Sequence, residues 1–148
     1  MLYEQIGAAL EKDTEDMTET WMLKVRESKN ANLLAHLTNS QLRDHVPAML
    51  QEMSQLIRSG GQNVAGHTRE ARADAHVRFQ QQCGISDLVE AIALLRMVVL
   101  DYLADVCSEP TLKMRINSYA AVARIVNTYL DEELRYASSL HVDESRLS

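Results

Sequence analysis

A ten-residue stretch in the second half of the chain, Ala91–Leu100, is apolar at every position except Arg96. A helix that is apolar on all sides belongs in the middle of a helical bundle. The side chains three and four positions away from Arg96 are all aliphatic, so none of them can accept a hydrogen bond. Arg96 must therefore reach the surface along its own stem or find an acceptor on another helix, because a guanidinium keeps its charge. A structural ion pair is the ordinary explanation, and a charge kept for signalling or ligand binding is the alternative.

The composition favours one all-α domain. The chain has 148 residues, enough for a single domain with a real core, and only 5 glycines and 2 prolines interrupt it. Aromatic residues make up 5%, so the core must be built from aliphatic side chains and methionine. We expect one domain over residues 1–148, a helical bundle of about five helices that ends in a long connecting helix.

Charge and cysteine content exclude several classes of protein. The formal net charge of −6 argues against a general nucleic-acid binder, which would carry a basic face. Two cysteines do not make a disulfide framework, and no apolar run approaches the roughly 20 residues of a membrane span. We therefore expect a cytoplasmic domain with neither a nucleic acid nor a membrane as its partner.

Helical periodicity runs along the whole chain. It predicts main helices over about 2–27, from Pro47 to the pair at 60–61, over 64–82, from Ser86 to about 107, and from 108 onward. Capping residues at 38–40 precede the second of these, and Pro47 suits its first turn. Gly84 fits a left-handed cap, and Ser86 a helix cap with an acidic residue behind it.

The last helix carries an apolar seam. Tyr119, Val126, Leu130 and Leu134 recur at close to heptad spacing, and Glu133 is the one poor fit. This pattern predicts a helix that extends beyond the bundle and pairs with a second copy of the chain. We expect a homodimer on this basis.

Residues that carry out catalysis are not evident in the sequence. No nucleophile elbow, phosphate-binding glycine loop or zinc-binding helix motif is present, so we expect neither an enzyme nor a metal site. His45 and His76 are the candidate ligand residues, since a haem would need a histidine that faces an apolar pocket. The default is that no cofactor is bound, and haem is the alternative.

Glu90 and Arg96 lie six positions apart and so project from different faces of one helix. We expect each to have its own partner, with Arg78 and Asp44 as candidates.

Several short motifs occur together in the middle of the chain: Asp44-His45-x-Pro47-x-x-Leu50, His76-x-Arg78, Gly84-Ile85-Ser86, Leu88-Val89-Glu90 and Leu94-Leu95-Arg96. Together they resemble the amino-terminal domain of RsbR-type regulators, the RsbT co-antagonists. Similar domains precede bacterial sensor histidine kinases. The resemblance covers roughly residues 41–103, and the glycine-serine turn followed by Glu90 and Arg96 is its most specific part.

The resemblance implies a non-haem, globin-like bundle that dimerises and serves as the non-enzymatic input domain of a signalling protein. Family members carry a STAS output domain or a kinase after the last helix, so residues 119–142 would include the connecting helix. The implied signalling or structural residues are Arg78, Gly84, Ser86, Glu90 and Arg96. Two alternatives stay open: a globin-like sensor that binds haem or another ligand, and a stand-alone helical adaptor.

Overall fold

The structure is a computed structural model that describes residues 2–31, 34, 36–107 and 116–147, without the side chains of 107, 116–117 and 143–147. Within these ranges the chain is helical and contains no strand, which confirms the all-α class. The elements are α1 (Leu2–Lys12), α2 (Thr14–Glu27), α3 (Asn39–Arg43), α4 (Val46–Arg58), a 3₁₀ turn (Ala65–His67), α5 (Arg69–Gln80), α6 (Ile85–Cys107) and α7 (Ile116–Leu147). The predicted start of the last helix, at 108–110, lies outside the described residues.

The helix expected over residues 2–27 is divided at Asp13 into α1 and α2. The hydroxyl of Thr14 donates to the carbonyl of Glu11 at 2.9 Å, and such bonds to preceding carbonyls bend helices. The Tyr102 hydroxyl lies 2.7 Å from the carbonyl oxygen of Ala9 and 2.6 Å from a carboxylate oxygen of Asp13. These contacts lie at the boundary between α1 and α2, where periodicity alone predicts a continuous helix.

Capping follows the prediction closely around α3 and α4. Thr38 and Gln41 form a capping box at the start of α3, and Pro47 stands in the first turn of α4. At the end of α4, the amide of Gly61 donates to the carbonyl of Leu56 and the amide of Gly60 to that of Ile57. Both glycines have positive φ, and together they make a Schellman motif.

The expected left-handed cap at Gly84 is wrong. The left-handed residue is Gln82, with φ 64°, and the amides of Gln82 and Cys83 bond back to the carbonyls of Phe79 and Arg78. Helix α5 ends at Gln80, so its Schellman motif is complete before Gly84 is reached. Helix α6 then begins at Ile85, which puts Ser86 inside its first turn instead of at the cap.

Helix α6 is not enclosed on all sides, which corrects the expectation of a central helix. Val89 is 47% exposed and Met97 49%, and Ile85 and Ala93 complete a line of exposed side chains at every fourth position. Helices α2 and α7 pack against α6, with α1 near one end, and leave this side uncovered. Helix α4 lies deeper, between α1, α2, α5 and α7.

Helix α7 lies along the bundle instead of projecting from it, at least as far as His141. Its side chains at Val126 and Leu130 are fully buried, and the His141 ring packs edge-on against Phe79 at 5.2 Å. The near-heptad seam is therefore explained by packing against α5 and α6 of the same chain. Val126 and Leu130 are not available to a second copy in this arrangement.

Candidate functional site

Three charged residues are buried where α5 meets α7. Asp74 and Arg78 lie one turn apart on α5, and Glu133 faces them from α7. Arg78 is 1% exposed and Glu133 0%, and such burial is rare for charged side chains. Ala71 and Ala75 share the buried face of α5, and their small side chains allow α7 to approach closely. We call Asp74, Arg78 and Glu133 the buried charged cluster.

Arg78 is held mainly by backbone carbonyls near the end of α3. Its Nη1 donates to the carbonyl of Gln41 at 2.9 Å, and its Nη2 to that of Leu42 at 2.5 Å. The last carbonyls of a helix have no partner within the helix and carry its negative dipole end, so a guanidinium stabilises them. Nη1 also donates to the side chain of Gln81 at 3.2 Å.

Trp21 covers the guanidinium from α2. The Arg78 Cζ atom lies 5.9 Å from the centre of the indole ring, within the range of a cation–π interaction. The indole Nε1 donates to the carbonyl of Ala91 on α6 at 2.9 Å. The environment of Arg78 thus joins α2, α3, α5 and α6.

The carboxyl groups of Asp74 and Glu133 outnumber the one cation beside them. Asp74 Oδ1 lies 3.3 Å from Arg78 Nη2, yet neither it nor either Glu133 oxygen accepts a hydrogen bond from a described residue. Burial, and then the neighbouring Asp74, raises the pKa of Glu133 well above its ordinary value. A protonated Glu133 could donate to Asp74 and satisfy both groups.

A second connection joins α7 to α4. The Tyr129 hydroxyl donates to Glu52 Oε1 at 2.7 Å. The same carboxylate accepts the backbone amides of Glu70 at 2.9 Å and Ala71 at 3.4 Å, and so caps the first turn of α5. Burial, followed by the charge of Glu52, raises the pKa of the Tyr129 phenol, which keeps it a donor.

A third connection joins α7 to α6. Arg96 Nη1 donates to Asn127 Oδ1 at 2.6 Å, and Nη2 to Asp131 Oδ1 at 2.8 Å. The side chain of Arg96 is 27% exposed. Of the two possibilities left open by the sequence, Arg96 uses an acceptor on another helix and lies near the surface.

Glu90 has a different partner from Arg96, as the spacing predicts. The Ser28 hydroxyl at the end of α2 donates to Glu90 Oε1 at 3.4 Å. The two suggested partners are engaged elsewhere: Arg78 in the buried charged cluster, and Asp44 beside His45.

The two candidate ligand histidines lie apart from the buried charged cluster. His45 precedes α4 and is about a third exposed, and its Nδ1 lies 3.5 Å from a carboxylate oxygen of Glu70. His76 is exposed beside a shallow surface depression lined by Arg69, Arg72 and Tyr136. In the described part of the chain, no group of three or more candidate ligand residues is placed to hold a metal ion.

The remaining predicted residues surround the α5–α6 turn and line α7. Gly84 is half-buried and Ser86 exposed, next to the buried Cys83, whose thiol pKa is raised by burial. Tyr119 and Leu134 are half-buried on α7, beside the fully buried Val126 and Leu130.

The sequence analysis gave no role to six side chains of these connections: Asp74, Glu133, Glu52, Tyr129, Asn127 and Asp131. Two signals were present. Glu133 interrupts the apolar seam of α7, and Asp74 precedes Arg78 by four positions, the spacing of an ion pair within a helix. Neither signal says that the side chains are buried.

These observations define an all-α module whose last helix is fixed to three neighbouring helices by polar side chains. In keeping with this class, the family model of the RsbT co-antagonist protein rsbRD N-terminal domain matches residues 15–147, and the chain belongs to this family. The match confirms the resemblance and extends it well beyond residues 41–103. Neither a curated protein nor a solved structure matches the chain.

Membership defines the general role of the chain as a stressosome-type regulatory N-terminal domain, non-catalytic in character. Domains of this type act in signalling complexes with partner proteins. Among the described helices, none combines the length and hydropathy needed to cross a membrane.

Proposed function

We propose that this chain is a sensory and dimerisation domain of a bacterial signalling protein, a histidine kinase or a stressosome-type regulator, and that it passes its signal through α7. The observation that carries the proposal is the concentration of polar contacts on two turns of that helix. Asn127, Tyr129, Asp131 and Glu133 face partners on three different helices. We call residues 127–133 the contact segment of α7.

The contact segment supports a mechanical mechanism. A shift of α5 or α6 alters the geometry of directed bonds to α7, and such bonds weaken steeply when their angles change. Packed helices tend to move between discrete arrangements, so a small displacement at one side of the bundle is passed on along the helix. Val142, near the far end of α7, is 50% exposed, and this is where a downstream element would receive the movement.

Arg96→Ala in the protein encoded by the complete gene tests the proposal. The change removes both bonds from α6 to the contact segment, and we expect the basal output of that protein to change, measured as reporter expression or as phosphorylation of its partner. Arg135→Ala is the matched control, because Arg135 is 76% exposed on α7 and forms an ion pair with its neighbour Glu132 at the surface.

Output that is identical in wild type, Arg96→Ala and Arg135→Ala, at equal protein levels, would contradict the proposal. Output that changes equally in both variants would also contradict it, since a surface charge on α7 would then be as effective as the bonds to α6. A change confined to Arg96→Ala supports it.

A further inference from the structure

We propose that Asp74 and Glu133 form a proton-binding site that fastens α7 to α5, and that loss of the shared proton loosens this contact. The inference depends on the proposed function only in treating α7 as the output element. The site itself is argued from burial, charge and hydrogen-bonding capacity within the described residues.

The charged groups around Glu133 do not balance without a proton. On α5, Asp74 and Arg78 lie beside Glu133. On α4, the nearest carboxylate is that of Glu52, and the Tyr129 side chain lies near both Glu52 and Glu133. From α6, Arg96 is engaged by Asn127 and Asp131 on α7, and in the α5–α6 turn Cys83 lies near Arg78, Asp74 and Asp87. One buried guanidinium therefore faces two buried carboxyl groups, and an unpaired buried charge is very costly.

The nearby donors make no hydrogen bond to Glu133. The guanidinium of Arg78 donates to the carbonyls of Gln41 and Leu42 and to the side chain of Gln81. The Tyr129 hydroxyl has one proton, and it is directed to Glu52. The Nε atom of Arg78 is also buried without a partner and makes no hydrogen bond to Glu133. Glu133 is fully enclosed, yet neither of its oxygens accepts a hydrogen bond from a described donor.

A single proton held between the two carboxyl groups resolves the imbalance. Asp74 Oδ1 and both oxygens of Glu133 lack hydrogen-bond partners among the described residues, so a protonated Glu133 supplies the missing donor. The cluster is then neutral: one guanidinium, one carboxylate and one carboxylic acid. The raised pKa of Glu133, caused first by burial and then by Asp74, agrees with this assignment.

Loss of the proton places two negative charges side by side, away from water, on opposite sides of the α5–α7 contact. Their repulsion opposes the packing of α7 on α5. The site therefore couples proton binding to the position of α7, much as paired carboxylates elsewhere share one proton because both cannot ionise.

The sign of the pH effect follows from the raised pKa. In the unfolded chain Glu133 titrates near the ordinary 4.5, and in the folded chain at a higher pH. The folded state holds the extra proton between these two values, so the stabilising contribution is complete below pH 4.5 and is lost as pH rises toward the folded pKa. In Glu133→Gln, the side-chain amide can donate a hydrogen bond to Asp74, and this donor is not lost as the pH rises.

Denaturant unfolding of the full chain between pH 5 and 9 tests the site, with wild type, Glu133→Gln and the neighbouring Glu132→Gln as control. We expect the unfolding equilibrium constant of wild type to rise relative to that of Glu133→Gln, by up to about tenfold per pH unit within the window. Glu132→Gln should follow wild type, because Glu132 is partly exposed and pairs with Arg135 at the surface. Parallel pH curves for wild type and Glu133→Gln overturn the proposal.

A second measurement needs no variant at Glu133. Infrared spectra of the folded wild-type chain at pH 7 should contain the carbonyl stretch of a protonated carboxylic acid, which the spectra of the unfolded chain lack. Its absence overturns the proposal even if Glu133→Gln fails to fold. If these results fail while Arg96→Ala still alters output, the proton site falls and the proposed function stands.

Discussion

At the scale of single residues, the chain buries an arginine by giving its guanidinium acceptors from several elements. Arg78 meets two carbonyls near the end of α3, a side-chain amide, the Asp74 carboxylate and the face of Trp21. Among the described residues Arg96 has two acceptors, and its side chain remains 27% exposed. Because Arg78 is buried and Arg96 is partly exposed, we expect their contributions to stability to differ. An exposed ion pair contributes little, whereas a buried one is costly to break.

We predict that Arg78→Ala destabilises the chain by about 3–5 kcal/mol, the usual cost of removing one partner from a buried pair. The change leaves the Asp74 carboxylate without its cation and two carbonyls of α3 without donors. Denaturant unfolding at neutral pH measures the loss.

Arg72→Ala provides the control, since Arg72 lies on the exposed side of the same helix. A surface change of this kind is expected to stay within about 0.5 kcal/mol. If the two variants have equal stability, Arg78 does not have the role assigned to it.

At the scale of the elements, caps decide where helices end, and they explain one sequence-based error. The pair Gly60-Gly61 was predicted to end α4 and does so in a Schellman motif. The same motif ends α5 with Gln82 in the left-handed position, although a glycine stands two residues later. Gly84 was predicted as the left-handed cap because glycine adopts positive φ at no steric cost.

Replacement of Gln82 by glycine is expected to stabilise the chain, by up to about 1 kcal/mol, because it relieves the left-handed strain at φ 64°. Gly60→Ala should have the opposite effect and cost about 1 kcal/mol, since Gly60 has φ 71° in the equivalent motif. Thermal unfolding of the two variants beside wild type compares them. A loss of stability in Gln82→Gly would mean that the side chain of Gln82 contributes more than its backbone strain costs.

Much of the fold was predictable because helix periodicity and capping are local properties. The all-α class, the capping at Thr38 and the position of Pro47 were all read correctly. The break at Asp13 was not, because it depends on the Tyr102 hydroxyl, which is 89 residues away in sequence. The burial of α6 was also predicted wrongly. An apolar sequence shows that a helix can be buried on every side, but it does not show how many other helices pack against it.

The functional residues were predicted only in part, for the same reason. Arg78 and Arg96 stand out as motif residues and as charges in apolar surroundings, and both make buried or half-buried contacts. Their distant partners lie on other elements: carbonyls of α3 for Arg78, and side chains of α7 for Arg96. Glu133 was visible only as a misfit in the seam, and its pairing with Asp74 requires the fold.

At the scale of the whole molecule, the exposed apolar line on α6 supports a homodimer better than the buried seam on α7. A two-fold dimer uses the same patch on both copies, and this line is continuous over Ile85, Val89, Ala93 and Met97. We predict that Val89→Glu together with Met97→Glu lowers the mass measured by light scattering from that of a dimer to that of a monomer. Val142→Glu, at an exposed position of α7, should leave the mass unchanged.

A mass that falls with Val142→Glu but not with the α6 pair would assign the interface to the end of α7. A monomer mass for wild type at all concentrations would remove dimerisation of this chain from the proposed function.

The central claim is that α7 is a separately held element, fixed to the bundle at its contact segment and able to move without unfolding the rest. Amide hydrogen exchange, followed segment by segment in wild type, Arg96→Ala and the control Arg135→Ala, tests this most directly. We expect faster exchange in Arg96→Ala across residues 122–137 of α7, with α4 as protected as in wild type and Arg135→Ala unchanged throughout. Exchange that accelerates equally in α4 and α7 would contradict it, because the last helix would then open only when the whole bundle does.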